Sequence, residues 1–275
     1  MNNQKNNTAI TEYKPFSLPS AMDDTFDSAD LAEDLEGLDL SFPRVKIPGG
    51  GVPQFKMPGE DPDHPTYASE IEGIILYNHD ANAYWPEGEE YDDNTPPLCQ
   101  SMDGKQGCGN PGLLCATCGF NQFGTSGKGK ACKNMRMLYI LRDGEFMPIQ
   151  LALPPTSIKP FKNFASMTFA LRRRPVYGSL VRITLKPVSS NGFDYSVAVF
   201  NKVRDFAGDE LEGIKAYAEG VRRMIQSMLE QRAKEQAEAT ANIVQVNNTP
   251  IELPDNDVHF AIGGMVDGER ELLPA

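Results

Sequence analysis

All five cysteines of this 275-residue chain lie between Cys99 and Cys132, and two of them form the knuckle Cys115-Ala116-Thr117-Cys118. That C-x-x-C spacing lets two thiolates turn toward one ion, and Gly119, Gly124, Gly127 and Gly129 supply tight backbone around it. Cys132 follows after thirteen residues, within the range of the second half of a zinc ribbon. The fourth ligand is Cys99 or Cys108. Cys108 sits in Gly107-Cys108-Gly109-Asn110-Pro111-Gly112, a loop with enough turn residues to place it anywhere. Cys99 closes the site from the end of the preceding segment and is preferred. The expected cofactor is therefore a structural zinc ion held by Cys99, Cys115, Cys118 and Cys132. Four thiolates close the coordination sphere, so such an ion holds the fold and does not activate water. Disulfides fit poorly with an odd cysteine count, a C-x-x-C pair and a start, Met1-Asn2-Asn3-Gln4-Lys5, that opens no signal peptide. A redox C-x-x-C is disfavoured by the absence of a βαβ context.

The second chemistry is cationic and aromatic. From Cys99 to Lys186 there are thirteen Lys or Arg against Asp103, Asp143 and Glu145, a formal +10 within a chain whose net charge is −12. The remainder thus carries about −22, and charge segregated on this scale marks a positive working surface between acidic arms. Single-strand binding needs a basic groove for phosphates and flat side chains for bases. The candidate cations are Lys128, Lys130, Lys133, Arg136, Arg142, Lys159, Lys162, Arg172, Arg173, Arg174, Arg182 and Lys186. Tyr139, Tyr195 and Phe123 are the candidate platforms, with Phe120 and Tyr177 behind them, while Phe161 and Phe164 are assigned to the core.

Enzymatic chemistry finds little purchase. The three histidines are His64, His79 and His259. Asp61-Pro62-Asp63-His64 reads as turn chemistry in a proline-rich loop. No G-x-S-x-G, H-E-x-x-H or deaminase-type signature occurs. The run Gly124-Thr125-Ser126-Gly127-Lys128-Gly129-Lys130 lacks the spacing of a Walker loop. A non-enzymatic binder is expected.

The elements that position these residues can be read from periodicity. Phe42–Ile47 and Glu70–His79 are expected strands, and residues 81–97, with Trp85, a loop. After the cysteines come a strand over Met135–Arg142, a type I′ turn at Asp143-Gly144 and a strand over Phe146–Leu151. Thr156-Ser157 is expected to cap a helix reaching about Arg172. Leu180–Lys186 and Phe193–Phe200 form a hairpin about Asn191-Gly192, and a last helix spans Asp209 to about Glu235. Without the insertion the order is β-β-β-α-β-β and a final helix. This predicts a mainly β fold with helices, an OB-fold-like five-stranded barrel carrying an inserted four-cysteine zinc ribbon.

Three parts are expected: an acidic disordered arm at 1–40, the OB-like domain at 41–236 with its ribbon at 99–132, and an acidic tail at 237–275. Asp23 to Asp39 holds eight acids and no base, too little apolar surface to offset the entropy of ordering. No apolar run approaches the ~20 residues that cross a bilayer, so a soluble protein of the bacterial cytoplasm without membrane contact is expected.

Two resemblances bear on this reading. The layout is similar in architecture to the zinc-containing OB domain of the replication protein A large subunit, where a ribbon interrupts the barrel. Ser101-Met102-Asp103-Gly104-Lys105, Cys115-Ala116-Thr117-Cys118, Asn121-Gln122-Phe123-Gly124 and Gly127-Lys128-Gly129-Lys130-Ala131-Cys132-Lys133 resemble a family from phages and conjugative elements of Gram-positive bacteria. Its members are described as uncharacterised or as single-stranded-DNA-binding proteins, and the match runs from Pro43 to the last helix. Cys108 is an extra relative to that pattern, which also favours Cys99. The resemblance implies single-stranded DNA as partner in replication or recombination, with replication proteins as further partners of the acidic tails. Self-association into a homo-oligomer is compatible with it. The alternative is a zinc-ribbon adaptor that binds a host or replication protein through its acidic arms.

Overall fold

In the computed structural model, which describes residues 14–19, 42–59, 61, 64–86, 96–190 and 192–247 with side chains as far as residue 234, the strand that begins at Glu70 runs past His79 to Tyr84. The strands are β1 (Arg44–Val45), β2 (Phe55–Met57), β3 (Thr66–Ala68), β4 (Glu70–Tyr84), β5 (Cys99–Ser101), β6 (Cys108–Gly109), β7 (Cys132–Leu141), β8 (Ile149–Leu153), β9 (Ser179–Ser190) and β10 (Phe193–Asp205). The helices are α1 (Pro155–Thr168) and α2 (Gly208–Asn247). The result is mainly β with two helices, built on a curled mixed sheet.

β4 belongs to both wings of that sheet. Its first residues, Glu70–Gly73, pair with β9, and from Ile74 onward it pairs with β7. β8 continues the meander beside β7, β1 adds to β8 in parallel, and β10 returns along β9. The far end of β4 carries β5, and β5 carries β6. No pairing joins β8 to β10 among the described residues. Instead α1 lies against β7, β8 and β10, with Phe161 and Phe164 both packed on Phe200. Gly73 marks the crossing of the wings. A Cβ there would stand 2.4 Å from the carbonyl oxygen of Leu141, so only glycine permits the approach.

A bulge in β4 between Ile75 and Tyr77 sets which side chains share a face. Side chains alternate along a strand, and one extra residue reverses the parity beyond it. Ile71 and Ile75 face the core that α1 covers, with Leu138, Ile140, Leu151, Val181 and Ile183. Ile74 and Leu76 face the opposite way, toward α2. Past the bulge that second face is continued by the odd positions Tyr77, His79, Ala81 and Ala83, and it ends at Trp85.

The second face carries a core of its own. Ile214, Ala218, Val221 and Ile225 of α2, spaced as one helix stripe, pack on Leu76, Met137, Tyr139 and Phe206. Residues 14–19 join this layer. Phe16 is buried edge-on to Phe206 at 6.1 Å between centroids, and its N–H donates to Glu210.

Several expectations are corrected. Residues 14–19 of the supposed disordered arm are docked, while 20–41 lie outside the described residues. The acidic tail was expected from 237, but the helix continues to Asn247, and 248–275 lie outside the description. The β7–β8 connection spans residues 142–148 and is wider than a two-residue turn, although Gly144 does take φ +75°. Ser157 does not cap α1. It is buried, and its Oγ accepts the Ala198 N–H at 2.9 Å, tying helix to β10. The α-helix stops at Thr168, and a 3-10 turn carries the chain to Arg172. The β2–β3 hairpin had not been expected, because glycine and proline dominate the sequence around it.

Phe16→Ala is expected to cost about 3 kcal/mol, the lower range for truncating a buried phenylalanine. Urea unfolding of the full chain measures it, and an unchanged midpoint would mean that the docked segment contributes nothing.

Candidate functional site

The two faces at the far end of β4 carry two different sites. On the face of Asn82 and Tyr84, the thiols of Cys99, Cys115, Cys118 and Cys132 line one cavity of about 10 Å³. Register explains why these four meet. Tyr84 pairs with both Cys99 and Cys132, so both cysteines share its face. Cys115 and Cys118 come over that face on the knuckle, which Asn121 ties down by donating to the carbonyl of Cys115 at 2.7 Å. Tyr84 and Phe120 stack at 4.4 Å beneath it. Cys108 pairs with Gln100, one position out of phase with Cys99, and therefore points to the other face.

Cys115, Cys118 and Cys132 are buried and Cys99 half-buried. Burial and the neighbouring thiols push Cys132 up to about 11, and burial likewise raises Cys99. Ionising such a set is costly without a cation among them, whereas a bound metal deprotonates its thiols outright. These four are the residues that could hold a metal. Among the described residues, no three Cys, His, Asp or Glu side chains already stand as a preformed ligand cage.

The opposite face forms a groove of about 370 Å³ across β1, β4, β5, β7 and β8. Trp85, Met102, Met135 and Met137 give it apolar walls, Arg44 and Lys46 its cations, and no carboxylate lines it. Arg44 and Lys46 flank Val45, whose side chain is in the core, so alternation turns both cations outward. Lys133 pairs with Ala83 and shares this face.

The expected nucleic-acid residues divide into four groups. Phe123, Lys128 and Lys130 sit on the knuckle, where Phe123 is 80% exposed and the Lys130 ammonium lies 5.0 Å from its ring centre. Lys133 is at the groove. Arg182, Lys186 and Tyr195 share the outer face of the β9–β10 hairpin, since Lys186 pairs with Val197, two positions from Tyr195. Lys159, Lys162, Arg172 and Arg173 are exposed on and just after α1. Four of the expected guanidiniums are held by acids: Arg136 by Asp80, Arg142 by Glu145, Arg174 by Asp205 and Arg182 by Glu70 and Glu72. Tyr139 is corrected as a platform. It is 3% exposed beneath α2, its ring edge-on to Phe42.

Sequence reasoning missed Arg44, Lys46, Trp85, Met102 and Arg232. The alternation Arg44-Val45-Lys46-Ile47 was a usable signal, but the cation count began only at Cys99.

Beneath the groove runs a directed hydrogen-bond chain. His79 Nδ1 lies 2.9 Å from the carbonyl of Asp80, which can only accept, so Nδ1 carries the proton and Nε2 is an acceptor. Tyr139 donates its hydroxyl to that Nε2 at 3.1 Å, and accepts from Gln150 Nε2 at 2.9 Å. Gln150 Oε1 in turn accepts from Arg44 Nε at 3.3 Å. Burial holds His79 below its ordinary value of 6.5; the carbonyl of Asp80 opposes this, Arg136 reinforces it, and Asp80 and Asp103 oppose it.

Comparison with protein-family models, with curated proteins and with solved structures returned no match.

The folded state takes up the His79 proton less readily than the unfolded chain, so it binds fewer protons as the pH falls through about 6.5. The stability due to neutral His79 is complete above that pH and is lost below it. The drop in Tm between about pH 7.5 and 5.5 is expected to be smaller in His79→Gln than in wild type. Equal drops would show that His79 does not titrate on unfolding.

Proposed function

We propose that this chain is a non-enzymatic, non-sequence-specific single-stranded-DNA-binding protein acting in the replication or recombination of a phage or mobile element inside the bacterial cell. The observation that carries the reading is the groove, where an indole and thioethers stand beside Arg44 and Lys46 with no carboxylate in the lining. Bases stack on any flat face, and stacking contributes about 1–3 kcal/mol per base without regard to sequence. The cations supply the salt-sensitive part.

The fold supports this as an OB-type barrel. A meander of β4, β7 and β8, a helix, and a β9–β10 hairpin returning to β4 is the strand order of that Greek key. In this reading the cysteine segment is a zinc ribbon, with a structural zinc held by Cys99, Cys115, Cys118 and Cys132. Its support is donor chemistry and convergence on one cavity. The ion would order the knuckle that carries Phe123, Lys128 and Lys130.

The adaptor reading draws on one observation. Leu113, Leu114 and Phe123 of the knuckle are more than half exposed, as a protein-docking surface would be.

Zinc stoichiometry of purified variants tests the ribbon. Cys115→Ser and Cys118→Ser are expected to lose the metal and Cys108→Ser to keep it. Loss in Cys108→Ser would overturn the ligand set. Binding is tested by anisotropy of a labelled single strand of about 30 nucleotides at two salt concentrations, with duplex as competitor. Log affinity should fall with log salt by about 0.7 per phosphate contact. The lone tryptophan gives a second signal. Its fluorescence should quench on binding, and Trp85→Ala should weaken affinity about tenfold. No binding at low salt by folded, zinc-loaded protein would favour the adaptor.

A further inference from the structure

A second pocket, of about 250 Å³, opens from the groove where α2 crosses the sheet. It shares Arg44, Gln100, Met102 and Gln150 with the groove, so the two are continuous. Its far wall is α2, which contributes Met228, Leu229 and Arg232. Its floor is Tyr139 and Gln150. Two arginines from opposite walls thus meet over a hydroxyl and an amide, and none of the lining residues is acidic.

The pocket is built. Arg44 is exposed, yet its Nε is held by Gln150, and Gln150 by the buried Tyr139–His79 pair. A long side chain fixed through its Nε keeps its terminal nitrogens for another acceptor, and a guanidinium so fixed loses less entropy on binding a planar oxyanion. The polarity of the chain is one-way: each member donates toward His79, so its far end presents a donor. Arg232 stands over the same point, close enough for its charge and that of Arg44 both to act on the Tyr139 hydroxyl. Two guanidiniums over neutral donors suit a phosphate oxygen.

We propose that this pocket is an anion site that seats a phosphodiester of the bound single strand, with Arg44 and Arg232 as its ligands and His79, Tyr139 and Gln150 as positioning residues for Arg44. The proposal rests on the single-strand reading and gives it a direction. A backbone held between α2 and the sheet places the adjoining base over Met102 and toward Trp85. α2 thereby becomes part of the interface as well as the cover of the second core.

The test uses the full chain, with Arg44→Gln, Arg232→Gln, Tyr139→Phe and the double variant Arg44→Gln/Tyr139→Phe. Arg223→Gln, exposed on the same helix outside the pocket, is the control. The probes are the labelled single strand and, by calorimetry, inorganic pyrophosphate. Each arginine variant should weaken strand binding about tenfold, as for a lost charge-assisted bond, and lower the salt slope by about 0.7. Arg223→Gln should do neither. Tyr139→Phe should weaken binding alone but add nothing once Arg44 is gone, a coupling that a merely structural tyrosine would not show. Wild-type strand binding with unchanged affinity and slope in both arginine variants overturns the phosphate site and leaves single-strand binding standing. Absence of strand binding, with pyrophosphate bound by wild type and lost in both arginine variants, overturns the strand as the ligand and supports the site for a free phosphate. Binding of neither probe overturns both.

Discussion

The structure depends on β4 being long, bulged and buried on both faces. Because it pairs with β9 at one end and β7 at the other, it joins the two wings of the sheet. The bend requires Gly73, where any side chain would strike the Leu141 carbonyl. A strand with a core on each side is usually a near-continuous apolar run. Glu70 to Leu76 fits that description, but Asn78, His79, Asp80 and Asn82 do not. These polar residues are tolerated because each has a partner: Arg136 for Asn78 and Asp80, Tyr139 for His79, Asn134 for Asn82. Losing such a partner deep in a protein costs about 1–3 kcal/mol, so the β4–β7 ladder is held as much by side-chain pairs as by its backbone.

That same strand explains what could and could not be read in advance. The strand order, both helices and the β9–β10 hairpin were legible because each rests on local periodicity or a turn signal. The extension of β4 beyond His79 was not, since alternation breaks at the bulge and the polar partners lie more than 50 residues away in Arg136, Tyr139 and Asn134. For this reason Trp85, which terminates a strand face, read as part of a loop. Tyr139 failed as a platform for a related reason. A strand does have an outer face, but nothing local announces that a helix 80 residues later will lie on it. The cysteine set fared better, because spacing alone brought Cys115, Cys118 and Cys132 together and register then separated Cys99 from Cys108.

Charge counting misled in an instructive way. The excess of cations between Cys99 and Lys186 is real, yet Arg136, Arg142, Arg174 and Arg182 each face a carboxylate. Their partners Glu70, Glu72, Asp80 and Asp205 fall outside the stretch that was counted, and only Glu145 within it. Most of these pairs are at the surface and contribute little stability, but they do remove positive potential from where the sequence placed it. The groove has its cations from elsewhere. Arg44 and Lys46 come from β1 and Arg232 from α2, elements at opposite ends of the domain that the sheet brings together. What distinguishes them is the absence of carboxylates from the walls they line.

The two sites are back to back on one strand end, and this couples them physically. Tyr84 faces the thiols while Ala83 and Trp85, its neighbours, face the groove. Cys99 and Cys132 anchor the strands on either side of it, so a cation drawing the four thiols together would clamp β5 and β7 onto β4. A strand end so fixed holds Trp85 in place, whereas a fraying end would let the indole and Met102 rearrange at the entropic cost that disorder always adds to binding. The knuckle therefore need not touch nucleic acid to matter for the groove. In this arrangement a structural metal acts on affinity through preorganisation, and the exposed Phe123 and Lys130 add contacts to a face whose geometry is already set.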